Sequence, residues 1–161
     1  MAPRTERLSA VPTAARPYQG QRAGIVTRIT ASVVDVLVIA LIMVALYAVV
    51  VGVAFLVHPR TFHIPSWVGW SFPVVAFLVA VPYLTLSWRL TGRTYGDQLL
   101  GLRVVNYQGR HMHFVGALLR ALFCAVFPLG LLWVAVSPAN RSVQDVVLRT
   151  SVVYDWLPTP E

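Results

Sequence analysis

Three long apolar stretches, separated by shorter polar segments, dominate the hydrophobic pattern of the chain. They cover about residues 33–57, 67–88 and 114–137. A helix rises about 1.5 Å per residue and the apolar core of a bilayer is about 30 Å thick, so each stretch is long enough to cross it. The pattern predicts an all-α membrane protein with three hydrophobic helical segments.

The third stretch contains a break that leaves its course open. Its length favours a full crossing, but the sequence Pro128-Leu-Gly130 is typical of a turn. If the chain turned back there, the short second limb would be re-entrant and would need shielding by protein. Of these two courses, length favours three full crossings.

The polar segments define the predicted domain boundaries. Residues 1–24 are rich in proline and arginine and lack apolar periodicity, which predicts a disordered tail. Residues 25–156 form the transmembrane domain, and residues 157–161 form a short closing tail. Within the domain, residues 102–107 and 150–154 have the composition of short strands. We expect both runs at the cytoplasmic face, and a full third crossing would separate them.

Composition and charge indicate a membrane protein and not a nucleic-acid-binding one. Apolar residues make up 57% of the chain and charged residues 12%, with a mean hydropathy of +0.69, which is unusual for a soluble domain. All 13 basic residues are arginines, and all but Arg120 lie in the segments that flank the apolar stretches. We interpret them as topology signals and as contacts with anionic lipids at the cytoplasmic face. The apolar stretches predict a multi-pass protein of the cell (inner) membrane. The arginine-rich start predicts that its N-terminus is cytoplasmic.

Two ionisable residues lie at the start of the first apolar helix. Arg28 stands at the water interface, and Asp35 follows seven residues later inside the apolar run. Both face the same side of a helix, with Asp35 about 10 Å deeper. A carboxylate at such a depth costs about 2.5–3.5 kcal/mol on insertion scales, so Asp35 should face protein or water and have a polar partner. Arg120 either snorkels to the interface or turns inward as that partner.

Other polar patterns do not define a catalytic or metal site. The Gly92-x-Thr94-x-Gly96 sequence lacks the ending of a phosphate loop, and its glycines are typical of a tight turn. His58 and His63 supply only two ligands, whereas a zinc site has three or four protein ligands. We therefore expect no metal, no cofactor and no enzyme activity.

The order of these motifs resembles the RDD family of small membrane proteins. The similarity lies in Arg28, Asp35, the segment 92–105, and the late sequence Arg141-Ser-Val-Gln-Asp145 followed by Thr150-Ser-Val-Val153. The resemblance implies that Arg28, Asp35 and Asp145 are the arginine and the two aspartates that name the family. Two features depart from the family pattern: Asp97 stands where a base is usual, and Leu148-Arg149 replaces small residues.

Two hypotheses for the function remain open. In the first, which agrees with the transport role that the resemblance implies, Asp35 faces a polar cavity with Arg28 or Arg120 as counter-ion, and Asp145 closes the cytoplasmic end. Such a protein would carry a small cation or protons, as an oligomer because three helices hardly enclose a path. In the second, the charged residues fix packing, and the protein is a structural or regulatory subunit of a larger membrane complex. In either hypothesis Arg28, Asp35 and Asp145 form the central set of charged residues. The residues that would support this set are Arg120, Gly92, Thr94, Gly96, Asp97 and Arg141.

Overall fold

Two long apolar helices and a small two-stranded sheet make up most of the described structure. The computed structural model describes residues 16–64, 66–106, 109, 112–127, 130, 133, 137 and 142–156. In chain order the elements are helices α1 (Ile25–Val57), α2 (Trp67–Leu90) and α3 (Tyr95–Leu99), strand β1 (Leu102–Asn106), helices α4 (Phe114–Val126) and α5 (Val143–Val147), and strand β2 (Thr150–Tyr154). A short 3₁₀ turn, Arg16–Tyr18, precedes them.

Helices α1 and α2 leave most of their apolar surface exposed. They have 33 and 24 residues, and both are long and apolar enough to cross a membrane. Only 6% and 11% of the residues in their most apolar windows are buried inside the protein. A helix that is apolar on all sides is stable where its surroundings are apolar too, as in a bilayer. The first two predicted membrane segments are therefore present as helices, and α1 begins before the predicted residue 33.

One face of α1 packs against the rest of the protein, and this face carries its ionisable residues. The buried residues of α1 are Arg28, Ala31, Asp35 and Met43, whose spacing is that of a single helical stripe. At the other end of the helix pair, the hydroxyls of Tyr47 and Ser71 lie 3.1 Å apart. Helices α1 and α2 therefore run antiparallel, with the ionisable residues near the start of α1.

Strands β1 and β2 form an antiparallel pair centred on Val104 and Val152. The chain before α1 adds to the outer edge of β2, because the amide of Ala23 donates to the carbonyl of Val152 at 2.9 Å. The amide of Gly20 likewise donates to the carbonyl of Tyr154 at 2.8 Å. Residues 20–23 of the predicted tail thus pair with β2, whereas residues 1–15 lie outside the described part of the chain.

The paired strands constrain the third apolar segment. Helix α4 has 13 residues and ends at Val126, so it is about 20 Å long, shorter than a bilayer core of about 30 Å. Because β1 precedes it and β2 follows, the chain between the strands must return to the side from which it left. The side-chain amide of Gln144 already donates to the carbonyl of Phe127 at 2.8 Å. The structure therefore does not confirm three full crossings, and it agrees with the alternative in which the chain turns back.

Two segments of the chain repeat the same succession of elements. We call Thr94–Asn106 the first unit and Ser142–Tyr154 the second unit. Each begins with a capping residue and a five-residue helix and ends with a five-residue strand, and the bounds of the second are those of the first shifted by 48 residues. The register pairs the first residue of each strand with the last residue of the other. An approximate twofold axis therefore passes between the two strands.

The apolar core lies where the two units meet the ends of the long helices. It combines side chains from the start of α1, the end of α2, both strands and α4. Its buried members are Ala23, Ala31, Val81, Trp88, Leu102, Val104, Met112, Ala117, Ala121 and Val152. This core surrounds the buried ionisable groups and fixes their positions.

Candidate functional site

Asp145 lies at the centre of a buried ion cluster. It is the third residue of α5, where its backbone amide and carboxylate complete a capping box with Ser142. Its carboxylate forms salt bridges with Arg28 of α1 and, at 2.5 Å, with Arg120 of α4. The side chain of Arg120 also donates to the hydroxyl of Thr150. Two guanidinium groups therefore share one carboxylate, and the exposed fraction of each of the three side chains is at most 4%.

The ion cluster keeps Asp145 ionised. Burial alone would raise the pKa of Asp145, but the charges of Arg120 and Arg28 and the hydrogen bonds from them outweigh burial and hold it well below its usual range. A carboxyl with a lowered folded-state pKa stabilises the fold above its unfolded pKa and loses that contribution as the pH falls through the folded value. Asp145 therefore acts as a fixed negative charge at neutral pH.

Arg28 also connects α1 to the sheet through its remaining donors. Its Nε donates to the carbonyl of Ala23 at 3.2 Å, and a terminal nitrogen donates to the carbonyl of Val152 at 3.4 Å. The arginine predicted at the water interface is thus only 4% exposed. It fixes the start of α1 against β2 and α5.

Asp35 is held by three neutral donors. Its carboxylate accepts from the hydroxyl of Tyr83 at 2.8 Å, from the hydroxyl of Thr94 at 2.6 Å and from the amide of Gly96 at 2.9 Å. The side chain is 8% exposed. Asp35 therefore joins α1 to α2 and to the first turn of α3, whose backbone N–H groups have no partners within the helix.

Gly96 and Gly92 allow this close packing. A Cβ atom on Gly96 would lie 2.1 Å from the carbonyl oxygen of Ala31, so only glycine lets α3 approach α1 to this distance. Gly92 has a φ of 73°, a left-handed conformation that glycine adopts without a steric penalty. Its carbonyl accepts from the amide of Val104 at 2.8 Å. The glycines of the predicted turn thus position Asp35 and β1.

Asp97 has the same place in α3 that Asp145 has in α5, but its neighbours differ. Its Oδ2 accepts from the indole N–H of Trp88 at 3.3 Å and from the amide of Thr94 at 3.1 Å. Its Oδ1 accepts no hydrogen bond from the residues that the structure describes. Burial raises the pKa of Asp97, and the negative charge of Asp35 raises it further. The folded protein therefore binds a proton at Asp97 more tightly than the unfolded chain does.

A cavity of about 170 Å³ lies between these charged groups. Asp35 and Asp97 border it together with Arg28 and Arg120. The rest of its wall is mostly apolar and includes Val104 and Val152, the pair at the approximate twofold axis, with Ile39 of α1 and Leu84 of α2. The arrangement presents carboxylates and fixed arginines to one small, largely apolar space.

Comparison with protein families shows to which family the chain belongs. The model of the RDD family matches residues 22–149. The chain belongs to the RDD family. No curated protein and no solved structure shows significant similarity to the chain. The family and the two membrane-capable helices together identify it as a membrane protein.

The three residues that carry the RDD resemblance separate into two groups in the structure. Arg28 and Asp145 pair directly, whereas Asp35 binds the first unit through Thr94 and Gly96. Arg120 neither snorkels nor pairs with Asp35, since its guanidinium lies over the ring of Trp88, 5.1 Å from the ring centre, and bonds to Asp145. Arg141 lies outside the described residues.

Several contacts at the site of this RDD protein have little or no local sequence signal. The pattern Thr94-x-x-Asp97 repeats Ser142-x-x-Asp145, and this repeated capping box is the signal that points to Asp97. The roles of Tyr83 and Trp88 depend on which helices pack together. Within the described residues, no group of three or more His, Cys, Asp and Glu side chains is arranged to hold a metal ion.

Proposed function

We propose that this RDD protein is a multi-pass carrier of the cell membrane that moves a small cation coupled to protons. The observation that carries the proposal is the cavity bordered by Asp35 and Asp97. Of the two carboxylates, Asp97 has an oxygen without a donor among the described residues. A cation or a proton at this oxygen would satisfy an acceptor that no described residue satisfies.

The charge balance around the cavity supports this proposal. Among the described residues of the site, Arg28 and Arg120 supply two positive charges, and Asp35, Asp97 and Asp145 supply three negative ones. One uncompensated negative charge among buried side chains is unfavourable, so one bound monovalent cation or one proton neutralises it. Competition between the two for the same charge is a physical basis for coupling.

Asp97 is the residue at which we place the exchangeable proton. Two other titratable side chains belong to its surroundings, Tyr83 of α2 and Cys124 of α4, in addition to the charged groups just named. Because the pKa of Asp97 is raised, its protonation begins above the usual range of a carboxyl. Cation binding should therefore weaken as the pH falls.

The orientation and the assembly belong to the same proposal. Arginines concentrate at the end of the protein that holds the two units, which favours the cytoplasmic side for this end and for the N-terminus. These arginines would also contact anionic lipids there. Two membrane-capable helices cannot enclose a path, so we propose that the carrier works as a homo-oligomer or with another membrane protein.

Proton flux in everted membrane vesicles tests the carrier. A pH-sensitive dye reports flux on addition of Na⁺, K⁺ or a quaternary ammonium ion, and wild type is compared with Asp97→Asn and Asp35→Asn at equal protein levels. We expect flux with wild type and its loss in both variants. The matched control is Asp155→Asn, because Asp155 pairs with Arg93 and Arg103 away from the cavity. Undiminished flux in Asp97→Asn contradicts the proposal.

A second candidate function is a non-transporting structural or regulatory subunit. Its supporting observation is that Asp35 and Asp145 use both carboxylate oxygens within the protein, as expected of residues that fix packing. In that case no cation drives proton flux, and Asp35→Asn lowers the amount of protein in the membrane. The same vesicles therefore distinguish the two candidates.

A further inference from the structure

We propose that the cavity binds one small organic monocation with an apolar body, with the positive charge placed against Asp97. This inference deepens the proposed function by naming the chemical class of the carried cation. It rests on three observations: an acceptor atom without a donor among the described residues, the chemistry of the cavity wall, and the position of the fixed positive charges.

The first observation is an oxygen of Asp97 that accepts no hydrogen bond from the described residues. The side chain is only 7% exposed and borders the cavity. Its Oδ2 has two donors, but its Oδ1 has none among the described residues. The carboxylate oxygens of a side chain this little exposed are normally hydrogen-bonded or paired with a charge. Oδ1 is therefore the atom at which a ligand cation would complete the site.

The second observation is that the wall suits an organic cation better than a bare metal ion. Hard metal ions take about six or more oxygen ligands, but the carboxylate of Asp35 is already occupied by Tyr83, Thr94 and Gly96. Much of the remaining wall is apolar and includes Ile39 and Leu84. An organic cation keeps its own apolar groups around the charge and can bury them against such a wall.

The size of the cavity agrees with this class of ligand. At about 170 Å³ it is on the order of ten times the space of about 10–15 Å³ that one water molecule needs. It therefore admits a molecule of several non-hydrogen atoms. The single net negative charge of the site limits the ligand to one positive charge.

The third observation is the position of the arginines, which orients the ligand. Arg120 covers the ring of Trp88 and, with Arg28, is fixed by Asp145. These two arginines would repel the positive charge of a ligand placed next to them. The charge of the ligand therefore lies on the side of Asp97, and its apolar body lies against Ile39 and Leu84.

Titration calorimetry on the full-length protein in lipid nanodiscs tests the inference. The probe is (2-hydroxyethyl)trimethylammonium, and the comparison compounds are its uncharged isostere 3,3-dimethylbutan-1-ol and Na⁺. We expect one probe per chain and an affinity at least about tenfold above that of the isostere, without displacement of the probe by an equal concentration of Na⁺. Equal binding of probe and isostere, or displacement of the probe by Na⁺, overturns the inference.

Two variants locate the binding site. Asp97→Asn should weaken probe binding about tenfold or more, whereas Asp155→Asn should leave it unchanged. Leu84→Trp keeps every charge and fills the cavity, so it should abolish binding, and it decides the question if Asp97→Asn does not fold. Unchanged affinity in Leu84→Trp overturns the proposed site.

The flux assay separates this inference from the proposed function. Na⁺-driven proton flux without probe binding supports the carrier and overturns the organic-cation site. Probe binding that depends on Asp97 without flux of any cation supports the site and overturns the carrier.

Discussion

The two units of this protein share a local structure and differ in what surrounds their aspartates. In both units the aspartate is the third residue of a five-residue helix and completes a capping box with the hydroxyl residue before it. Asp145 then meets Arg28 and Arg120, whereas Asp97 meets the indole of Trp88. The same capping box thus positions two carboxylates, and their distant neighbours decide their charge state.

This difference assigns the units different tasks. The pKa of Asp145 is lowered by two arginines, so the second unit holds a permanent ion cluster that joins α1, α4 and α5. The pKa of Asp97 is raised by burial and by Asp35, so the first unit holds a carboxyl that takes up a proton at a higher pH than an ordinary carboxyl does. A repeated unit can therefore supply both a structural anchor and an exchangeable charge.

The largest expected effect comes from removing the charge of one aspartate at a time. Asp145→Asn leaves Arg28 and Arg120 buried without their counter-ion, so we expect a loss of about 3–5 kcal/mol in the free energy of unfolding. Asp97→Asn keeps an acceptor for the capping box and removes a charge that burial disfavours, so its stability should stay near or above wild type. Thermal unfolding of both variants in the same detergent measures the contrast. An equal loss in both would contradict the assignment of different tasks.

Substitution of Gly96 gives the next largest effect. The equivalent position in the second unit is Gln144, so the two units differ here as well. Gly96→Ala places a Cβ atom against the carbonyl of Ala31, so α3 must move away from α1 and release the carboxylate of Asp35. We expect a loss of about 3 kcal/mol, at the upper end of the usual cost of overpacking. Gly52→Ala is the control, since nothing lies within 4 Å of its Cβ position; chemical denaturation of the two variants tests the difference.

The capping residues should differ by a smaller amount. Ser142→Ala removes a cap and should cost about 1 kcal/mol. Thr94→Ala removes a cap and also a donor to Asp35, so it should cost about 2 kcal/mol. Thr94→Ser restores the hydroxyl and should recover most of the stability. Melting temperatures in one buffer compare the three variants. An equal cost for both alanine variants would mean that the hydrogen bond from Thr94 to Asp35 adds no stability.

The smallest effect concerns the residue that links helix and strand in each unit. Gly101 and Arg149 occupy equivalent positions and have φ values of 64° and 51°. Arg149→Gly should stabilise the protein by about 0.5 kcal/mol, because the left-handed strain removed exceeds the entropy that glycine adds. Arg149→Ala retains the Cβ atom and should show no such gain. A gain of the same size in both variants would attribute the effect to the lost charge.

The sequence by itself determined the elements whose causes are local. Two uninterrupted apolar runs predict α1 and α2, because the length and composition of a run are sufficient for a membrane helix. Strand-type runs predict β1 and β2. The order of several motifs, Arg28, Asp35, the segment 92–105 and the late run 141–153, indicates the RDD family, which the family match confirms.

Only the tertiary structure decided how these elements and charges combine. Arg28 and Asp145 are 117 positions apart, and Asp35 and Thr94 are 59 apart, so no local pattern indicates their contacts. Likewise, only the pairing of β1 with β2 shows that the chain enters and leaves the third apolar segment on the same side. In each case the deciding interaction joins residues far apart in the chain, and the free energy that selects a partner arises only when the whole core packs.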